Sequence, residues 1–204
     1  MSIDIEADTG TATEAVSKPK LALYWASSCG GCEIAVLDIK EKILEVDAAF
    51  DIVFWPVAVD FKVKDVEAMG DGEIDLCLFN GAIRNSDNAY MAELLRRKAK
   101  VLVAFGSCAC EGCIPALSNT TSREVTLDWI YRDSPSTDNP EDVRPQVHTD
   151  TPFGELELPE FWETVRALDQ VVDVDYFVPG CPPQAHQIWA VLETVIDILQ
   201  NDKP

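Results

Sequence analysis

Short apolar runs alternate along the chain with longer stretches in which apolar residues recur every three or four positions. The first pattern is typical of buried strands and the second of amphipathic helices. Strands are predicted at residues 20–26, 50–59, 74–79, 100–105 and 171–178. Helices are predicted at residues 33–48, 85–98, 122–132, 161–168 and 184–200. Because strands that alternate with helices in this way form parallel βαβ units, the sequence predicts an α/β fold with helices flanking a parallel sheet.

Two segments stand apart from this alternation. Residues 1–19 are polar, acidic and rich in Thr, which predicts a disordered tail. Residues 133–160 are rich in Pro and acidic residues, and we expect them to form an excursion from the sheet, either ordered or flexible. The remaining chain, residues 20–204, is expected to be one domain that includes this excursion, since its length suffices to bury a core.

Charge and apolar content restrict the partners of the protein. The formal net charge is −20 and the pI is near 4.2, so neither nucleic acids nor anionic membrane surfaces are expected to bind. The apolar runs are too short to span a bilayer, and no membrane insertion is expected. Residues 1–18 contain no apolar segment of the kind that directs export, which favours the cytoplasm.

The seven cysteines are the residues with the most distinctive chemistry. Without an export signal, they favour metal or redox chemistry over a disulfide framework. Cys29 and Cys32 lie in the stretch LALYWASSCGGCE, between the first predicted strand and the first predicted helix. Cys108 and Cys181 each follow a later predicted strand. Because the loops at the carboxyl ends of parallel strands build the binding site of such a sheet, we expect these thiols at one site.

Three kinds of site remain open for these thiols. A C-x2-C pair between a strand and a helix suits a thioredoxin-like dithiol. Cys110 and Cys113 form a second C-x2-C pair, as in a zinc site, but 77 residues separate Cys32 from Cys110, against roughly 15–20 in zinc ribbons. Four thiolates from separate loops are typical of an iron–sulfur cluster. Gly106 and Gly180 favour the cluster, because glycine lets backbone amides approach its sulfurs closely.

Four motifs carry a resemblance to a known family. They are YWASSCGGCE, FGSCACEGCIPALSN, GELELPEFWETV and VVDVDYFVPGCPPQ. Together they resemble the small subunit of [NiFe] hydrogenases over about residues 20–200, and most of all the cytoplasmic branch with methyl-viologen-reducing, NAD(P)-linked and heterodisulfide-reductase-linked enzymes. The related 20 kDa subunit of NADH:ubiquinone oxidoreductase has two adjacent cysteines in its first motif. Here Gly30 and Gly31 separate Cys29 from Cys32, which counts against that subunit.

The resemblance implies a flavodoxin-like domain that holds one proximal [4Fe-4S] cluster. The implied ligands are Cys29, Cys32, Cys108 and Cys181. The implied role is electron transfer between the Ni–Fe centre of a large subunit and a flavin- or iron–sulfur-containing subunit linked to NAD(P), ferredoxin or a heterodisulfide. H2 would react on the large subunit, so the chain is expected to be a non-catalytic subunit of an oxidoreductase complex. The chain has no further cysteine motif after Cys181, so a single cluster is expected.

Alternatives remain open for the complex and for several side chains. A homologous cluster subunit of a Ni-free, complex I-like oxidoreductase is the alternative function. Glu33 is either an acidic residue in the first turn of a helix, where the dipole stabilises it, or a residue that contacts the large subunit or has a proton-linked role near the cluster. Cys110 and Cys113 are either buried small apolar residues or residues that tune or ligate the cluster. Cys77, inside a predicted strand, is expected only to pack.

Overall fold

A computed structural model describes residues 18–201, without the side chains of residues 199–201. Most of the tail predicted at residues 1–19 therefore lies outside the described residues. The strands are β1 (Lys20–Trp25), β2 (Asp51–Phe54), β3 (Ile74–Asn80), β4 (Ile83–Asn85), β5 (Ala99–Phe105), β6 (His148–Thr151), β7 (Gly154–Glu157), β8 (Phe161–Arg166) and β9 (Tyr176–Val178). The helices are α1 (Gly31–Leu37), α2 (Ile43–Ala49), α3 (Val63–Glu67), α4 (Ser86–Lys98), α5 (Ser107–Glu111), α6 (Cys113–Ala116), α7 (Arg123–Asp128) and α8 (Ala185–Asn201).

Five of the strands form one parallel sheet in the order β2-β1-β3-β5-β9. Numbered within this sheet alone, the order is 2-1-3-4-5, which is the order of flavodoxin-like domains. The predicted α/β fold with a flavodoxin-like parallel sheet is therefore confirmed. None of the helices between residues 18 and 201 combines the length and the apolar character needed to cross a membrane.

Helices cover both faces of the sheet, and each face has its own apolar core. One core packs side chains of α3, α4 and α5 against the sheet, and the other packs side chains of α1, α2 and α8. The central strands β3 and β5 are almost continuously apolar because both of their faces are buried. Cys77 of β3 is fully buried in the first core, as predicted.

The prediction of one continuous helix at residues 33–48 is wrong. The structure has α1, a 3-10 turn at Lys40–Lys42, and then α2. Lys40 has a φ of 59°, a left-handed conformation that ends a helix rather than continuing it. Val36, Ile39 and Val46 are nevertheless buried in the same core, so one apolar face continues through both helices.

The helix predicted at residues 161–168 is wrong, because this segment forms β8. β8 pairs in antiparallel fashion with the short strand β4. The Asn119 side chain also holds it, accepting from the Val165 amide at 2.8 Å and donating to the Val165 carbonyl at 2.9 Å. The aromatic and β-branched residues of FWETVR suit a strand once these partners are present.

Three other predicted elements are shorter or more divided than expected. The strand predicted at residues 50–59 ends at Phe54, and the one predicted at 171–178 begins only at Tyr176. The helix predicted at residues 122–132 divides into α7 and a π turn at Trp129–Asp133. The excursion predicted at residues 133–160 contains an ordered hairpin, β6–β7.

Replacing Asn119 tests how β8 is held. Asn119→Ala leaves the amide and carbonyl of the buried Val165 without partners, and we expect the free energy of unfolding to fall by about 1–3 kcal/mol. Urea denaturation of the full chain measures this change. Thr120→Val is the control, since the Thr120 hydroxyl bonds to the Leu117 carbonyl at the surface and its loss should matter by about 0.5 kcal/mol or less. Equal effects would show that Asn119 does not anchor the strand.

Candidate functional site

The site begins where four neighbouring strands end at the same level. Trp25 of β1 pairs with Asn80 of β3, Asn80 with Phe105 of β5, and Phe105 with Val178 of β9. Each is the last or next-to-last paired residue before a loop, so the loops leave the sheet side by side. Three of these loops carry the predicted cysteines, and they lie at the carboxyl edge, where α/β sheets bind their ligands.

The loops after β5 and β9 are bonded directly to one another. The Gly106 amide donates to the Val178 carbonyl at 2.8 Å, and the Ser107 amide donates to the Gly180 carbonyl at 2.8 Å. The Gly180 amide in turn donates to the Ser107 hydroxyl at 3.2 Å. Sequence reasoning missed Ser107, although a hydroxyl directly before a cysteine in the GSC motif was a visible signal. Ser107 fixes the position of the Cys108 loop relative to the Cys181 loop.

The four predicted ligand thiols are brought together by these loops. Burial raises the pKa of the Cys32 thiol to about 12, and the neighbouring Cys108, Cys29 and Cys181 add to the increase because thiolates repel one another. Burial likewise raises the pKa of Cys108 to about 11, with contributions from Cys113, Cys181 and Cys29. Cys32 and Cys108 are buried, whereas Cys29 and Cys181 are exposed. The thiols therefore form one group that runs from the edge of the core to the surface.

Glycines occupy tightly packed positions in the loops after β5 and β9. Gly106 has a φ of 84°, and a Cβ at this position would overlap the Cys32 sulfur. Gly180 has a φ of 146°, and a Cβ there would lie 2.5 Å from Pro183 Cα. Both positions therefore need glycine for steric reasons as well as for backbone conformation.

The donor set fits an iron–sulfur cluster. It consists of thiols, and the Gly31 amide donates to the Cys29 sulfur at 3.4 Å, the kind of N–H···S contact that tunes such clusters. Within residues 18–201, no three Cys, His, Asp or Glu side chains gather closely enough to hold a single metal ion. In a [4Fe-4S] cluster each thiolate binds a different iron, so the ligands of such a cluster need not converge on one point.

Cys110 and Cys113 point in different directions although they are three residues apart. Cys110 donates from its sulfur to the Ala104 carbonyl at 3.4 Å and packs against the first core, and burial raises its pKa to about 11. Cys113 instead acts on the thiol group, because its proximity raises the pKa of Cys181. The two C-x2-C pairs therefore do not face each other as a zinc knuckle requires, and only Cys113 joins the thiol group.

Glu33 lies in the first turn of α1, but its side chain is only 2% exposed. Its Oε2 accepts a hydrogen bond from the indole of Trp55. Burial raises the pKa of Glu33, and the Trp55 and Asn80 side chains oppose the increase. Among the described residues, Glu33 Oε1 and both polar side-chain atoms of Asn80 have no hydrogen bond of normal geometry. Glu33 is thus a buried acid behind the thiol group rather than a solvated charge on the helix surface.

Fold and site together define a doubly wound α/β protein with a thiol-lined site at the carboxyl edge of its sheet. Residues 29–195 match the family described as NADH ubiquinone oxidoreductase, 20 Kd subunit. The chain belongs to this family.

Several hydrogenase subunits are among the similar proteins. The chain is 44% identical over 178 residues to the iron-sulfur subunit of the F420-non-reducing hydrogenase of Archaeoglobus profundus, an alignment that covers 87% of this chain and 56% of the relative. It is 25% identical to the NAD-reducing hydrogenase HoxS subunit delta of Cupriavidus necator, covering 97% of this chain and 88% of that subunit. The chain spans little more than half the length of its F420-non-reducing hydrogenase relatives.

A solved structure shares the fold. A chain in the crystal structure of an NAD+-reducing [NiFe]-hydrogenase in the H2-reduced state superposes with a TM-score of 0.75 at 29% identity. The match covers 88% of this chain and 92% of that chain.

Proposed function

We propose that this chain is the electron-transfer small subunit of a cytoplasmic [NiFe] hydrogenase. Cys29, Cys32, Cys108 and Cys181 would bind one [4Fe-4S] cluster, which supplies one-electron redox chemistry when bound. Electrons would pass between the Ni–Fe centre of a large subunit and flavin- or iron–sulfur-containing subunits linked to NAD(P), ferredoxin or a heterodisulfide. The observation that carries this proposal is the meeting of these four thiols, from three loops, at one edge of the sheet.

The chain itself would bind the cluster, shield it from water and fix its orientation. Cys32 and Cys108 are buried at the edge of the core, so water has little access to that side of the site. The Gly31 amide donates to the Cys29 sulfur, and such amides stabilise the more negative, reduced state of a cluster. No side chain of the described site needs to make or break a bond to substrate for this role.

Exposed apolar side chains close to the thiols in sequence are evidence for a large protein partner. Trp25, Ile34, Ile114 and Leu117 are between 42% and 63% exposed, and we refer to them as the apolar rim. Ile34 lies two residues after Cys32, and Ile114 directly follows Cys113. Exposed apolar residues grouped at a site are typical of protein interfaces, and here they accompany the exposed Cys29 and Cys181. The large subunit would cover this rim and the open side of the thiol group.

One alternative has an observation in its favour. The description of the family that matches the chain names a subunit of NADH ubiquinone oxidoreductase. In a Ni-free complex of that kind, the same thiol group would serve a different large partner and a different acceptor. The hydrogenase names of the relatives and the matching hydrogenase structure favour the Ni–Fe partner.

Metal analysis of the native complex, purified without oxygen through a tag on this chain, distinguishes these functions. We expect about four irons and four acid-labile sulfides on this chain once it is separated from its partners. Nickel is expected only in a co-purifying large subunit. Iron and sulfide without nickel anywhere in the complex would favour the Ni-free alternative. Zinc, or no metal at all on a chain purified in this way, would contradict the cluster.

A further inference from the structure

Arg84 of β4 is a buried cation without a carboxylate beside it. The residue is 9% exposed. Its guanidinium carbon lies 3.9 Å from the centre of the Phe161 ring, and one of its nitrogens donates to the Ser118 hydroxyl. Between residues 18 and 201, no Asp or Glu oxygen comes within 4.0 Å of the guanidinium. Burial of a charge is costly unless an opposite charge compensates it, and a guanidinium has five N–H donors to satisfy.

The other arginines show that this arrangement is unusual for so acidic a chain, which has 36 acidic and 16 basic residues. Five arginines lie within 4.0 Å of a carboxylate, namely Arg96, Arg97, Arg123, Arg132 and Arg144. Arg166 has no such neighbour among the described residues either, but it is exposed, so water solvates its charge. Within the described part of the chain, Arg84 is therefore the arginine that combines burial with the lack of an ion pair.

Glu163 is the acidic side chain whose charge acts on Arg84. Burial lowers the pKa of the Arg84 guanidinium, and the charge of Glu163 opposes this decrease. The Glu163 side chain is 60% exposed, however, and one of its oxygens lies 3.9 Å from the Arg123 Nε. Glu163 thus stays beyond ion-pair distance of Arg84 and faces another arginine. The described residues do not supply the counter-ion of Arg84.

The segment that holds Arg84 also presents two residues of the apolar rim. Ser118, which accepts from Arg84, directly follows Leu117 in the chain. The Ser118 hydroxyl also donates to the Pro115 carbonyl at 2.9 Å, and Pro115 follows Ile114. Ile114 and Leu117 are 60% and 63% exposed. The uncompensated charge is therefore one hydrogen bond away from the segment that the large subunit would cover.

We propose that Arg84 binds a carboxylate, from an Asp or Glu side chain of the large subunit, when that subunit covers the apolar rim. The inference rests on the proposed function, which supplies the partner. The planar guanidinium matches a carboxylate through two parallel hydrogen bonds. On a chain with a net charge of −20, an acidic side chain of the partner is repelled by most of the surface and attracted at Arg84. One such pair beside apolar contacts fixes the orientation of the partner and disfavours partners that lack the acid.

Arg84→Met separates this docking role from a purely structural one. In the full chain without partners, we expect the urea midpoint to stay the same or rise, because an uncompensated buried charge is removed. In the native complex, purified anaerobically through a tag on this chain, we expect the retained large subunit to fall at least tenfold, because its carboxylate is left unpaired. A lower urea midpoint with full retention of the large subunit would make Arg84 a structural residue and overturn the proposal.

Arg166→Met is the matched control. Arg166 also stacks on an aromatic ring, with its guanidinium carbon 5.1 Å from the centre of Trp162, but it is exposed. We expect this variant to retain the large subunit in full. If Arg166→Met loses the subunit as completely as Arg84→Met, the effect belongs to positive charge in general, and a specific carboxylate site at Arg84 is excluded.

Arg84→Lys identifies the group that occupies the site. The complex is treated with a water-soluble carbodiimide, which joins an amine and a carboxylate in contact by an amide bond and leaves as a urea. Peptide mass spectrometry should find the new amine joined to one Asp or Glu of the large subunit. An amide to Glu163 alone would show that this chain supplies its own counter-ion and would contradict the proposal.

The same complex distinguishes a failure of this inference from a failure of the proposed function. If a nickel-containing large subunit co-purifies but is neither joined to position 84 nor released by Arg84→Met, the proposed function holds and this inference is wrong. If the amide joins position 84 to a large subunit without nickel, the hydrogenase function fails and the carboxylate site is supported.

Discussion

Gly106→Ala is expected to remove most of the iron from the chain. The new Cβ would occupy the space of the Cys32 sulfur, and the residue would have to keep a φ of 84° that disfavours side chains. This overlap can be removed only if the Cys108 loop or Cys32 itself moves. The loop is held by hydrogen bonds to Val178 and Gly180 on its other side. Since a cluster needs all of its ligands in place, we expect the iron content to fall from about four per chain to one or fewer.

Iron and sulfide analysis of the anaerobically purified variant, together with its visible absorption, measures this loss. Gly72→Ala is the control. Gly72 also has a positive φ, of 69°, but among the residues that the structure describes a Cβ there would meet just the Lys100 side chain, at 3.9 Å. This control carries a similar backbone penalty of about 1 kcal/mol without touching the thiols. Equal iron loss in both variants would attribute the effect to general destabilisation and would remove Gly106 from the site.

The position of the site could be predicted from the sequence because it follows from the sheet. Alternating strands and helices imply parallel strands, and the loops after parallel strands meet at one edge. The cysteines at residues 29, 32, 108 and 181 follow three such strands, and the pairing of Trp25, Asn80, Phe105 and Val178 brings their loops to the same level. A local pattern was sufficient here because pairing within a parallel sheet brings loops that are distant in sequence to the same edge.

The segment at residues 161–168 was predicted wrongly because its structure depends on distant residues. β8 owes its extended form to β4, which lies about 80 residues earlier in the chain, and to the Asn119 side chain. Tertiary pairing of this kind overrides local periodicity. The short excursion strands β6 and β7 pair with each other instead, and they too showed no alternation of apolar residues that would predict a sheet.

The environment of Glu33 could not be predicted for a similar reason. Its position in the first turn of a helix predicts an acidic residue that the helix dipole stabilises, and says nothing of burial. Burial results from Trp55, which lies 22 residues later and donates to the Glu33 carboxylate, and from Asn80 at the end of β3. Neither residue carries a sequence signal that links it to a cysteine motif. The residues that surround the thiols are therefore the part of the site for which a structure is needed.

Cys108 and Cys110 provide the sharpest comparison for the ligand set. They lie two residues apart on the short helix α5, yet Cys108 faces the other thiols and Cys110 bonds to the Ala104 carbonyl within the first core. We expect Cys108→Ala to reduce the iron content from about four per chain to three or fewer. Cys110→Ala should keep its iron and lower the free energy of unfolding by about 1 kcal/mol, because a small buried side chain is truncated.

Anaerobic iron analysis and electron paramagnetic resonance of the reduced chain measure the first effect, and urea denaturation measures the second. The two variants each lose one sulfur atom and alter the same helix, so a general loss of folding would affect both. A Cys108→Ala chain with a complete iron complement and an unchanged resonance spectrum would exclude Cys108 as a ligand. Iron loss in Cys110→Ala alone would mean that the cluster lies on the other side of α5, because the direction of these two side chains is what separates the site from the core.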